Sequence, residues 1–164
     1  PNEGGETDSD ETQSRDLNPA RKLLAVVIAF LDGVFVYAIV VPLLGVLIAQ
    51  LEPIVPRTVR AQRVYIEAVF WGFPALVMLL VGFAAASLYW RIPLQVGLAA
   101  GIGAAAVSLA AHFSLPPARF ISAEQARMLD LRSIGNAILM VAAAVLGAFL
   151  ASRRGGDAHE EGPA

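Results

Sequence analysis

Residues 23–51, LLAVVIAFLDGVFVYAIVVPLLGVLIAQL, form a long apolar run with one charged side chain, Asp32. At an α-helical rise of about 1.5 Å per residue the run reaches past the roughly 30 Å hydrocarbon core of a bilayer. Only lipid or a very large protein interior could cover such a helix, and a chain of 164 residues does not provide that interior. With 57% hydrophobic residues, the chain carries more apolar surface than a soluble globule of its size can enclose. Residues 23–51 therefore read as a membrane-spanning helix. A secretory signal would show a basic start and a short apolar run, so this one reads as a retained anchor.

Three further apolar runs follow. The expected fold is an all-α, polytopic integral membrane protein: a bundle of four transmembrane helices over residues 21–154. The spans fall at 23–51, 64–90, 93–113 and 131–152, with a helical interfacial segment at 123–130. Six of the fourteen acids lie in the first sixteen residues (Glu3, Glu6, Asp8, Asp10, Glu11, Asp16). Residues 1–20 accordingly read as a disordered acidic tail, which in a functional reading docks on a basic partner. Residues 155–164 read as a second disordered tail.

Breakers and belts set the boundaries. Pro42 cannot donate to the carbonyl of Ala38, and a kink is expected there, with a second at Pro74. Residues 52–63 carry Arg57, Arg60 and Arg63 and read as a surface loop. Tyr65, Trp71, Tyr89 and Trp90 stand near the ends of the second span, as interfacial aromatics do. Arg91, Ile92 and Pro93 make a tight turn into the third span. Pro116 and Pro117 end that span, and Ser122 with Gln125 forms a capping-box pattern ahead of the fourth.

Small residues recur every four positions on three helices, so that backbones can approach closely. Ala25, Ala29 and Gly33 form one such stripe. Gly97, Gly101 and Ala105, and beside them Ala99 and Gly103, give the third span two, so it is expected to be the most protein-covered. Ala143, Gly147 and Ala151 mark the fourth. The segment GIGAAA at 101–106 matches a dinucleotide-binding fingerprint in form, yet that motif needs a preceding strand and a helix start. In mid-helix it is a packing motif.

Polar residues at depth fall into two expected layers. Asp32, Ser87, Arg91 and Gln95 lie in the half of the membrane nearer the chain termini. Glu67, Arg63, His112, Arg132 and Asn136 lie towards the other surface. A charge near the centre of a spanning helix costs about 2.5–3.5 kcal/mol on insertion scales, which makes Asp32 the leading candidate for function. Its structural alternative is a hydrogen bond to Gln95 or Ser87, with Arg91 snorkelling towards it. Glu67 stands four residues after Arg63, in position for an ion pair. Asn136 and Ser133 are expected to bond between helices.

The chemistry is bounded more by what is missing. Without cysteine there is no disulfide, thiolate metal site or cysteine nucleophile. No metal site and no cofactor are expected. His112, the only histidine in or near the membrane, cannot supply both axial ligands of a bis-histidine haem, leaving only a pigment or haem shared with another subunit. No paired carboxylates, histidine cluster or serine with a nearby base point to catalysis, so no catalytic residue is assigned.

Two functional readings remain. In the first, the chain is a small non-catalytic membrane subunit or assembly factor, packing against a larger complex through its small-residue faces. In the second it is an oligomeric transporter or channel using Asp32 as its proton, ion or substrate residue. Expected partners are membrane lipids and other integral membrane subunits, with no nucleic acid. Basic residues flanking the spans divide six against six between the two surfaces, so the positive-inside rule does not orient the chain. The absence of a signal sequence and the basic pair Arg21 and Lys22 favour cytoplasmic termini in a prokaryotic cytoplasmic membrane.

Overall fold

The computed structural model describes residues 18–50, 54, 58–114 and 123–160, with side chains in the last stretch described over 124–154. Within these residues the regular structure is entirely helical. Four helices are long and apolar enough to cross a membrane: Pro19–Ala49, Val59–Leu88, Pro93–Ser114 and Glu124–Arg154. The four-span, all-α membrane bundle expected from the sequence is the fold found. Most of the acidic arm, the proline pair Pro116 and Pro117, and the cap Ser122 lie outside the described residues.

The first span has three parts: α1 (Pro19–Phe35), a π-helical turn (Val36–Val40) and α2 (Val41–Ala49). Asn18 starts α1 by accepting the amide of Ala20 on its side-chain oxygen, with Pro19 at the first helical position, where a missing amide costs nothing. The helix thus begins ahead of the apolar run, because its cap lies in the polar flank. The π turn stands directly before Pro42. There the amide of Val41 donates to the carbonyl of Val36, five residues back. A proline ring crowds the carbonyl four residues earlier, and a widened turn on its N-terminal side relieves that crowding.

The second span repeats the device. It comprises α3 (Val59–Glu67), a π turn (Ala68–Gly72) and α4 (Phe73–Leu88), and the amide of Phe73 donates to Ala68 just ahead of Pro74. Thr58 caps α3, its hydroxyl oxygen accepting the amide of Ala61. The disturbance expected at each proline therefore takes the form of one wide turn. The third span is α5 (Pro93–Ser114), and the fourth lies in α6 (Ala123–Glu160). With no proline between its ends, α6 carries the interfacial segment unbroken into the span and runs on as helix to Glu160, into the stretch expected to be a tail.

The core is built on α5. Half of its apolar window is buried, against 17%, 22% and 39% for the first, second and fourth spans. It packs on α1, α4 and α6, and α6 also packs on α4, whereas α1 and α4 touch only lightly. Glycine makes these approaches possible. A Cβ on Gly33 would fall on the backbone of Ala100, and one on Gly103 on that of Phe30, joining α1 to α5. Gly82 meets the backbone of Ala144, and Gly147 that of Leu79, joining α4 to α6. Gly97 and Gly101 face Ala148 and Val141 across the α5 and α6 interface. The small-residue stripes are spent on one another, inside the chain.

Candidate functional site on the first span

The direction of the helices fixes how deep each polar group lies. Phe30 meets Gly103, and seven residues further on the Tyr37 hydroxyl donates to the Ser108 hydroxyl at 2.8 Å, so the first span and α5 run parallel, with an offset of 71 residues at that bond. On that offset Gln95 is level with Leu24, about two helical turns nearer the terminal face than Asp32. The four groups expected to form an inner polar layer do not meet. The Ser87 hydroxyl donates to the carbonyl of Phe83 one turn back, a local bond common for serine in apolar helices. The Arg91 guanidinium lies over the Trp90 ring, 5.3 Å from its centroid. Gln95 is exposed.

Asp32 stands alone. It is exposed at the edge of the buried stripe of Ala25, Ala29 and Gly33, about 20° around the helix from Ala25. No hydrogen bond or ion pair among the described residues engages its carboxylate. Its exposed neighbours on the helix are apolar: Leu31 and Phe35 are each 56% exposed, and Ile28 36%. At 3.6 residues per turn, Arg21, Ile28 and Asp32 share one face of α1, since seven and eleven positions bring a helix back to nearly the same direction. One turn beyond Asp32 the helix opens into its π turn, and neither that turn nor α2 contains a buried residue. An acid at mid-membrane depth is thus presented outwards, ahead of a stretch that has no fully buried residue and is tied to α5 through Tyr37.

The expected far-side layer divides into separate pairs. The Arg63 guanidinium donates to Glu67 at 3.3 Å, on an exposed helix face. One ring nitrogen of His112, Nε2, lies 2.8 Å from Asp130 Oδ1, which links the end of α5 to the start of α6. Asp130 was not among the expected site residues; its position as the last residue of the expected interfacial helix, about two turns from its start, was the available signal. Arg132 is exposed. Asn136 is buried, and its side-chain oxygen accepts no hydrogen bond. Among the described residues no three His, Cys, Asp or Glu side chains gather as a metal site would require. The pair Tyr37 and Ser108 was missed because each residue lies in an apolar run with nothing local to couple them.

No family model matches the chain, and neither a curated protein nor a solved structure resembles it.

Proposed function

We propose that this protein is a non-catalytic subunit or assembly factor of a larger membrane complex, and that its first span docks on a partner transmembrane helix through the face bearing Ile28, Asp32 and Phe35. The observation that carries this reading is Asp32, outward-facing at depth and unengaged by the rest of the described chain. An acid so placed is costly in lipid and is stabilised by a neighbouring donor or cation at the same depth. The glycine faces are occupied within the bundle, so the docking surface moves to this one. Both termini are read as cytoplasmic in a prokaryotic cytoplasmic membrane, and protease cleavage of the N-terminus from outside would overturn that orientation.

The test is purification in mild detergent, with native gel mass and subunit identification. Wild type is expected in a complex larger than itself. Asp32→Leu is expected to release the chain, and Asp32→Asn, which keeps a hydrogen-bonding head, to release it only in part. A wild-type protein that runs as a free monomer, or a complex indifferent to Asp32→Leu, would refute the reading.

A second reading, transport by several copies, draws support from the π turns at Val36–Val40 and Ala68–Gly72, where wide turns interrupt the two least buried spans. Equal flux into liposomes by wild type and Asp32→Asn would remove it.

A further inference from the structure

Because α1 packs on α5 while α4 packs mainly on α6, the first and second spans leave a crevice between them at the terminal face. Its volume is about 470 Å³, within the range of small-molecule sites. Leu24, Ile28 and Leu88 give it apolar walls, and Arg21, Trp90 and Arg91 stand at its polar end. Among the described residues no carboxylate lines it. Arg21 lies in the first turn of α1 and Arg91 in the turn between α4 and α5, so both guanidiniums sit at the membrane boundary. The Trp90 ring holds the Arg91 head by a cation–π contact of 5.3 Å.

We infer that this crevice is a specific site for one anionic phospholipid. The two guanidiniums bind the headgroup phosphate, for which their planar forks are suited, and the apolar walls take the upper part of an acyl chain. The charge decides the ligand class. A zwitterionic lipid would bring its own cation to two arginines, whereas an anionic one leaves its negative charge uncompensated for them, and basic pockets between spans on one membrane face recognise such headgroups. The crevice adjoins the proposed docking face and shares Ile28 with it, while Asp32 and Phe35 lie deeper on α1 and do not line the crevice.

The chain has two tryptophans, so the Trp71→Phe protein reports from Trp90 alone. Reconstituted at full length in phosphatidylcholine vesicles, it is titrated with brominated phosphatidylglycerol and, separately, brominated phosphatidylcholine. Quenching of Trp90 is expected to favour the anionic lipid, by on the order of fivefold for each arginine. Arg21→Gln and Arg91→Gln should each reduce that preference, and the Arg→Lys counterparts should largely keep it. Lys22→Gln removes the same charge from a residue that does not line the crevice, and should leave the preference intact, as should Asp32→Leu. Equal quenching by the two lipids would overturn the site, as would a preference that survives both Gln substitutions together or falls equally with Lys22→Gln. Addition of inorganic phosphate should change nothing; abolition of the preference by phosphate would assign the arginines to a soluble anion instead.

Discussion

The hydroxyls of Tyr37 and Ser108 show what one residue pair contributes in an apolar bundle. Ser108 is 8% exposed, and the partner that satisfies it comes from another helix. Leaving a buried hydroxyl without its donor costs about 1 kcal/mol, so Tyr37→Phe should lower the thermal midpoint of the protein in detergent by that equivalent. An unchanged midpoint would mean that the pair carries no weight. Asn136 is the opposite case, a buried amide whose oxygen accepts nothing. The depth of Asp32 was legible in the sequence from the length of its run. Its direction was not, because the face a helix turns to lipid depends on which stripe its neighbours cover. Ala25, Ala29 and Gly33 are covered, and Asp32 falls at the exposed edge of that stripe.

Between helices the controlling quantity is how near two backbones can come. Gly33 has the backbone of Ala100 where a side chain would begin, whereas Gly45, on α2, has nothing within 4 Å. The two positions should respond with opposite sign. Gly33→Leu forces α1 off α5 and should cost about 1–3 kcal/mol or more, while Gly45→Ala removes only backbone freedom and should gain up to about 1 kcal/mol. Thermal unfolding of both variants in one detergent checks the pair, and equal effects would contradict the packing. The Gly33, Gly97, Gly101, Gly103 and Gly147 stripes were visible in the sequence as small residues at four-residue spacing. Gly82 was not picked out, though it meets Ala144 as closely as Gly147 meets Leu79. Its place on α4 is clear only once α6 is set against it. The two prolines announced a disturbance, and the backbone answered each with a π turn rather than a loss of helix.

For the whole molecule the neighbours are not those of the chain. The first and third spans run parallel and in contact, as do the second and fourth, while the consecutive first and second spans touch only lightly, through α1 against α4 and through the Tyr65 hydroxyl, which donates to the carbonyl of Ile48 at 2.8 Å. The chain contains no cysteine, so a cysteine pair at positions 37 and 108 is the only thiol pair present. A short bifunctional thiol reagent should join Tyr37→Cys to Ser108→Cys within one chain in membranes; failure to do so would refute the contact between the first and third spans at this level. From the sequence alone came the number of spans, their approximate limits and the crowding of α5, because run length against bilayer thickness and the frequency of glycine and alanine are local properties. Only the tertiary structure decided which glycine met which backbone, that Asp32 looks outwards, and that Arg21 and Arg91 border one crevice. Those facts depend on the pairing of segments far apart in the chain, and pairing is settled by the closest backbone approach, which no single stretch of sequence contains.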